Sequence, residues 1–410
     1  MKIGYLMQAG VPDLQAPLLA GPALHVKHVF TELQAVGHQV CLLACFAGRL
    51  WKSTDLQVYQ PVTVRLLDQG PLRWFERAAR RLQHELKLPY AAFFESLRFA
   101  LACRQELADC DLFYERMGWM GYGGGLAAQW LHIPLVWEVN GDHMVELETL
   151  GMAPQGSQKW LSLQGMQQAA QRATHTVTTG VGWRQRFIER WRVAPDVVTV
   201  IENGSEVVNL LHREQLQAFQ AESTTKRRVT VAYVGGFEPW HGLLILLRAV
   251  AKAIAQDVQL RLLLIGSGTE QAKLEQLIQT LQLTQVVCLT GQVNATQLAH
   301  YLAQADIGVS PYCGRVEYSG LKLLDYKAAG LAIIASGAEG QPALLTHDQT
   351  GWIVPPCEEN ALCDALVQLC QDGEKRVQMA RAARIEAEQL HSWQHTAQEL
   401  TQLFTQVIRS

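Results

Sequence analysis

The sequence has no Cys-x-x-Cys pair, no long apolar run and no strong charge of either sign. Its nine cysteines, at 41, 45, 103, 110, 288, 313, 357, 363 and 370, are scattered and odd in number. That argues against a disulfide framework or a zinc site, and for reduced, mostly buried thiols in a cytoplasmic protein. No stretch reaches the roughly 18 apolar residues of a membrane-spanning helix. The opening MKIGYLMQAGVPD runs straight into a strand and lacks the apolar stretch of a signal peptide. With 38 acids against 35 bases the net charge is -3, which disfavours a general nucleic-acid binder. A Gly-x-Gly-x-x-Gly after the first strand is also missing, which counts against a dinucleotide oxidoreductase.

What is present is size, apolar content and alternation. At 410 residues, 49% hydrophobic and 18% charged, the chain can bury two cores. Short apolar strands alternate with amphipathic helices twice, once before a polar, irregular stretch at 210–228 and once after it. We place the first domain at 1–208 with a returning helix at 391–410, and the second at 209–390. Trp393, Ala397, Leu400, Phe404 and Val407 form one apolar stripe on that last helix.

The densest signal runs from 306 to 336. An apolar strand ends in Pro311, a loop carries Gly314 and Gly320, and Leu321, Leu324, Ala328 and Ala329 recur at helical spacing until Gly330. Strand, glycine loop, helix and strand is the unit that offers backbone N–H groups to a phosphate. Amides at Ser319, Gly320, Leu321 and Lys322 would hold phosphate oxygens, and Lys322 would add a full charge. Asp325 is placed to accept from ribose hydroxyls and Glu317 from sugar hydroxyls. A tight connection with surface charges fits the same spacing.

The stretch EYSGLKLLDYKAAGLAIIAS resembles the donor-site signature of retaining GT-B glycosyltransferases of family 4. In that signature an acid, seven residues and a second acid precede a small-residue turn and a strand. The resemblance implies an α/β, GT-B architecture, with two Rossmann-like domains facing across a cleft and a C-terminal helix crossing back. It implies a hexosyltransferase that moves a sugar from a nucleotide-diphosphate sugar to an acceptor hydroxyl with retention. Glu317 would contact the transferred sugar and Asp325 the ribose; Asp325 is shorter than the Glu more often found. The family generally needs no metal, and the donor loops carry no Asp-x-Asp motif.

Further matches extend over nearly the whole chain. Gly21, His25 and the Gly37-His38 pair resemble the family's opening glycine loop and helix, with Gly21 facing the donor. The Tyr114-Glu115-Arg116 strand end and the IPLVWEVNGD segment match the acceptor side, which makes Glu138, Asn140, Asp142 and His143 acceptor-site or acid/base candidates. Gly266 and Gly268 match a Gly-x-Gly loop, and Gln292-Val293 a loop whose backbone reads the nucleobase. In GGFEPWHGLLILLRAV the family usually has an Arg and a Lys where this chain has Gly236, following Gly235, and His241. Each lost cation removes a charge-assisted hydrogen bond to the diphosphate, roughly 1.5–3 kcal/mol. Lys322 is the candidate replacement, and His241 a candidate phosphate donor when protonated or hydrogen-bond donor when neutral. Two alternatives stand beside this reading: a non-catalytic nucleotide-sugar-binding relative and a nucleotide-sugar epimerase. The acceptor is open between a glycan, a lipid-linked molecule and a small molecule.

The segment 71–102 is the most basic of the chain. Trp74, Ala78, Leu82 and Leu86 lie on one helical face, with Arg73, Arg77, Arg80, Arg81 and Lys87 around it. Such a helix either packs its apolar face on the domain with the basic face solvated, or makes a peripheral membrane contact through 73–87.

Overall fold

Runs rich in Val, Ile and Leu between glycine turns form two largely parallel sheets, and the amphipathic segments between them form covering helices. The computed structural model describes all residues except 17, 20, 69–70, 87–90, 142–143, 145–146, 149–150, 212–227, 314–319, 337–343 and 410, and the side chains of 71–72. The chain divides into two units, Met1–Glu202 with Ala397–Ser410, and Asn203–Thr396. The first break precedes the expected 208/209. Ser205 gives the reason, because its N–H donates to the His391 carbonyl (2.9 Å) and its hydroxyl to Asp325 (2.6 Å), both in the second unit.

The first unit carries β1 (Lys2–Met7), β2 (Gln39–Phe46), β3 (Arg49–Ser53), β4 (Gln60–Val62), β5 (Leu112–Arg116), β6 (Leu135–Val139), β7 (His175–Thr178) and β8 (Val198–Val200). They form an eight-stranded sheet in the order β4-β3-β2-β1-β5-β6-β7-β8. β2 to β4 are antiparallel hairpins and the other pairs are parallel. The chain builds outward from β1 in one direction, then restarts at β5 on its other side. Strand order therefore reverses between β1 and β5, the position where open α/β sheets take ligands. The helix Gly21–Ala35 buries His25, Val26, Val29, Phe30 and Leu33. The helix Trp393–Arg409 begins in the second unit and from Ala397 belongs to the first. There the Phe404 ring lies 5.2 Å from that of Tyr114, and Thr401 hydrogen-bonds His38 at 2.9 Å. This is the crossing-back helix, and its apolar stripe packs as expected.

The helix Pro71–Glu85 corrects the ordinary packing reading. Its polar face is the buried one. Glu76 is 7% exposed and meets Arg98 at 2.6 Å and Arg80 at 2.8 Å, while Arg80 reaches Glu95 at 2.7 Å. The apolar face points outward, with Trp74, Phe75, Leu82 and, just beyond the helix, Leu86 between 54% and 73% exposed. An inward ion network on the helix Phe93–Glu106 and its neighbours selects the polar face, because leaving Arg98 and Glu76 without each other would strand buried charge.

The second unit carries β9 (Val229–Val234), β10 (Leu260–Ile265), β11 (Val287–Gly291), β12 (Ile307–Pro311), β13 (Ala332–Ser336) and β14 (Trp352–Ile353). All pairs are parallel, in the order β11-β10-β9-β12-β13-β14. Here the reversal falls between β9 and β12. The helix Leu243–Ile254 buries Leu246, Leu247 and Val250 in the core on one face of this sheet. The helix Leu321–Ala328 buries Leu323 and Tyr326 in a second cluster that includes Ala232 and Ile333.

Cys313 and Cys357 are disulfide-bonded, with Cα atoms 4.8 Å apart. This corrects the expectation of thiols only. Parallel pairing brings the exits of β12 and β14 to the same end of the sheet, which lets two cysteines 44 residues apart meet. The other described cysteines, 41, 45, 103, 110, 288, 363 and 370, are free. No helix among the described residues is long and apolar enough to cross a membrane.

Candidate active site

In the second unit the loops leaving β9, β10 and β11 are laced together by backbone. Gly235 N–H donates to the Ile265 carbonyl (3.0 Å), Gly266 N–H to Gly291 (2.9 Å) and Phe237 N–H to Ser267 (3.0 Å). A Cβ at Gly268 would lie 2.4 Å from the Phe237 nitrogen, so this approach admits only glycine. Gln292 and Val293 follow directly on β11, Gln292 exposed and Val293 half-buried. Five of the expected donor residues thus meet at one sheet edge: Gly235, Gly236, Gly266, Gly268 and, through Gly291, the start of the Gln292-Val293 turn.

The reversal point between β9 and β12 is pinned by Tyr326. Its hydroxyl accepts from Val234 N–H (2.8 Å) at the end of β9 and donates to the Val309 carbonyl (3.1 Å) in β12. A Cβ at Gly308 would strike the Tyr326 ring at 2.4 Å, which explains a glycine inside a buried strand. One turn earlier on the same helix, Lys322 extends its ammonium to within 4.7 Å of the Tyr233 ring centroid and 3.4 Å of its hydroxyl. Its Nζ also lies 3.4 Å from where a Gly235 Cβ would stand. Lys322 thus brings a cation to the loop that carries Gly235. Gly320 forms the N-cap position of this helix, followed by Leu321, with the Leu323 N–H turned back to the Gly320 carbonyl (2.9 Å).

His241 takes a different part from the one expected. It sits on the turn Pro239–His241, and its Nδ1 is 2.7 Å from the Gly236 carbonyl, which also accepts from the Tyr233 hydroxyl at 2.7 Å. A carbonyl accepts only, so Nδ1 carries the proton and a neutral ring offers an acceptor at Nε2. Burial, with the nearby Lys322 charge, lowers its pKa to about 3. The protonated phosphate donor is thereby disfavoured at neutral pH. Gly242 closes the turn at φ +68°, and a Cβ there would lie 1.9 Å from the Pro311 oxygen. This locks the β9 loop against the exit of β12.

Asp325 has its Oδ1 engaged by the Ser205 hydroxyl (2.6 Å), which in turn accepts from Val207 N–H (3.1 Å). Ser205 thus supplies Asp325 with a partner. Glu317, Ser319, Asp142 and His143 lie outside the described residues.

The first unit places its charges at the β1/β5 reversal. Glu138, at 1% exposure near the end of β6, accepts from the Tyr5 hydroxyl (3.0 Å), is in contact with the His25 ring and lies 4.0 Å from Arg116. Burial alone would raise its pKa; His25, Arg116 and the Asn140 amide outweigh this and hold it down at about 2. Glu138 is thus a buried, ionised anchor rather than an exposed acid/base. Asn140 follows at the strand end, partly buried. Gly21, at the start of the helix that carries His25, belongs to this unit and not to the loops gathered in the second. The glycine cluster at 118–125 has a packing role. Gly123 N–H donates to Gln8 (2.6 Å), and a Cβ at Gly124 would meet the Glu115 carboxyl at 2.5 Å. Burial pushes Glu115 up to about 8, with the Trp137 indole donating to it at 2.8 Å.

Sequence reading missed Tyr233, Tyr326 and Ser205. Buried tyrosines at strand and helix positions look like core, and nothing local marks their hydroxyls as bridges. Among the described residues no group of three or more His, Cys, Asp or Glu is placed to hold a metal ion.

Each unit is a largely parallel sheet with helices on it, and the last helix begins in the second unit and ends in the first, which is a GT-B organisation of the chain. The description "Glycosyl transferases group 1" matches residues 214–386, and "Glycosyl transferase 4-like domain" matches 20–204. The chain belongs to the GT-B glycosyltransferases of family 4 type. It is 30% identical over 181 residues to a D-inositol 3-phosphate glycosyltransferase of Corynebacterium urealyticum, covering 42% of each chain. A phosphatidyl-myo-inositol mannosyltransferase of Mycolicibacterium smegmatis is 28% identical over 185 residues, 45% of this chain and 46% of that one. These two matches span less than half the length of either relative. A D-inositol 3-phosphate glycosyltransferase of Corynebacterium kroppenstedtii is 24% identical over 100% of this chain and 89% of its own. In fold, the chain is similar to HepE of Anabaena, solved in complex with UDP (TM-score 0.71, 19% identity, 99% and 100% coverage). It is likewise similar to sucrose-phosphate synthase of Thermosynechococcus elongatus (TM-score 0.70, 20% identity, 100% and 99%).

Proposed function

We propose that this glycosyltransferase moves a sugar from a nucleoside-diphosphate sugar to an acceptor hydroxyl, with retention at the anomeric carbon and without a metal. The observation that carries this is the position of Lys322. Its ammonium sits over Tyr233 beside Gly235, at the loop where the family resemblance leads one to expect the diphosphate cations. In this reading the helix that starts after Gly320 contributes backbone amides, and Lys322 stabilises the departing diphosphate electrostatically. The neutral His241 accepts from a donor hydroxyl through Nε2. Asp325, oriented by Ser205, accepts from the ribose, and Glu317 orients the transferred sugar. Gly266, Gly268, Gln292 and Val293 border the nucleobase. Asn140 and Asp142 serve the acceptor side.

The relatives' names support donors and acceptors to try first: UDP- and GDP-linked sugars, and inositol phosphates as acceptors. Thermal unfolding with UDP, GDP, ADP and dTDP tests the donor reading. A shift with one nucleotide, reduced in Lys322→Ala, supports it; no shift with any of them, in folded protein, overturns it. Product formation would then separate an enzyme from a non-catalytic relative, and conversion of donor without acceptor would point to an epimerase.

The outward face of Pro71–Glu85 supports a membrane-side acceptor. Trp74, Phe75 and Leu82 project from the surface, and Arg73 and Arg77 flank them on the same exposed side. Exposed aromatics bordered by arginine suit an anionic bilayer surface. Co-sedimentation with phosphatidylglycerol vesicles, lost in a Trp74→Ala/Leu82→Ala variant and weak with phosphatidylcholine alone, is the expected result. Equal recovery with both lipids and both proteins would exclude it.

A further inference from the structure

The bond between Cys313 and Cys357 stands at the sheet edge that carries Lys322 and His241. Cys313 is the second residue after β12, and its N–H donates to the Trp240 carbonyl (2.8 Å) on the turn that holds His241. Its Cβ lies 3.5 Å from where a Gly242 Cβ would stand. The Tyr312 carbonyl, one residue earlier, accepts from the Ser336 hydroxyl (2.7 Å) at the end of β13. Cys357 stands on a stiffer base. Val354 N–H donates to the Ala335 carbonyl (3.0 Å), Pro355 and Pro356 follow, and the helix Glu359–Gln371 begins two residues after the cysteine. Its backbone is left-handed at φ +62°, uncommon for a residue with a side chain. The bond thus hooks the exit of β12, and with it the His241 turn, to a fixed anchor. Access also sets the pair apart. Among the described residues Cys357 is the one exposed cysteine. The seven outside the bond are buried or half-buried, and burial pushes the thiols of Cys41, Cys45, Cys103, Cys110, Cys363 and Cys370 up, away from the reactive thiolate.

We propose that this bond is a redox switch on the nucleotide site, which binds tightly while the bond is closed and weakly once it is opened. The reductant is a dithiol. One of its thiolates attacks Sγ of the exposed Cys357 and forms a mixed disulfide, and the Cys313 sulfur leaves as a thiolate and takes up a proton. The second thiolate of the reductant attacks the mixed disulfide, closes the reductant's own S–S bond and releases Cys357, which is protonated in turn. Two electrons and two protons pass in total from the dithiol to the protein. Cys357 is then free to leave its left-handed conformation. The exit of β12 keeps its hydrogen bonds to Trp240 and Ser336 but loses its anchor. A nucleotide must then order a turn that the bond had held, and that cost falls on affinity. The effect on binding rests on the donor reading of this site; the exchange chemistry of the bond does not.

Thiol counting and calorimetry on the full chain test it. Denatured without reductant, the protein should titrate seven thiols, and nine after dithiothreitol. Calorimetry uses whichever of UDP, GDP, ADP and dTDP binds best. The folded protein should bind it about tenfold more weakly after dithiothreitol, the scale of ordering one or two loop residues, and glutathione disulfide should restore the affinity. Cys357→Ser, a change at an exposed position, should bind as the reduced protein does and ignore the reductant. A bond with a structural part alone would lower the unfolding midpoint on reduction and leave the affinity unchanged. That result would overturn the switch and leave the donor reading standing. Nine thiols before reduction, even after glutathione disulfide, or tighter binding by the reduced protein would overturn it as well. No binding of any of the four nucleotides in either redox state would sink the donor reading and the switch together, whatever the thiol count.

Discussion

Both units reverse strand order beside their first strand, yet they furnish the reversal point in opposite ways. In the second unit the edge is made of backbone: glycines at 235, 266 and 268 pack loop on loop, Tyr326 ties strand ends, and Lys322 brings one cation. In the first unit it is made of side chains gathered on one carboxylate, with Glu138 ionised among His25, Arg116 and Tyr5. A backbone edge can be disturbed by a side-chain change with little loss of fold. A buried ion cluster cannot, because removing one member leaves the rest uncompensated. Variants in the first unit should therefore report on stability, and those in the second on binding.

The largest effect is expected at the first reversal. Glu138→Ala should lower unfolding free energy by about 3–5 kcal/mol in urea titration, because His25 and Arg116 lose their shared partner. A loss near zero would mean the cluster is not self-compensating, and the contrast between the units would fail.

Glu115 offers a second test with a sign. Its folded pKa is raised, to about 8, above the ordinary carboxylate value of 4.5. Between those values the folded state holds a proton that the unfolded state has lost, so stability falls as pH rises through this window and is flat above it. Glu115→Gln keeps the acceptor for Trp137 and removes the titration. We expect it to flatten the pH profile and to stabilise the protein at pH 9 by an amount on the order of a few kcal/mol. An unchanged slope in denaturation between pH 5 and pH 8 would refute this.

In the second unit, Lys322→Ala should weaken nucleoside-diphosphate binding by roughly ten- to a hundredfold in calorimetry, with the unfolding midpoint little moved. Nucleoside binding, which has no diphosphate, should be spared. Ser205→Ala should give the smallest change, roughly 1 kcal/mol in stability from one lost hydrogen bond. It should weaken UDP more than pyrophosphate, since it acts through Asp325. Equal effects on both ligands would separate Asp325 from the ribose.

The legible parts of this chain were those written locally. Glycine loops after 234, 265 and 311 and helices with apolar spacing sit within a few residues of the features that specify them, so their elements and their order could be read. Four things could not. The contact between His25 and Glu138 joins positions 113 apart in sequence, and the cysteine pair spans 44. The helix Pro71–Glu85 carries an apolar stripe that by pattern belongs inside; only the arginine and glutamate positions on neighbouring helices turn it round. His241 reads as a phosphate donor when protonated or a hydrogen-bond donor when neutral, until the Gly236 carbonyl fixes its tautomer.

The Glu138 cluster also constrains ancestry. Tyr5, His25, Arg116 and Glu138 come from three strands and a helix, and each leaves another uncompensated if it changes alone. A lineage that abandons the glutamate must pass through an unstable intermediate unless the histidine or arginine changes with it. Among descendants of a common ancestor these positions should therefore be inherited as a block, retained together or replaced together.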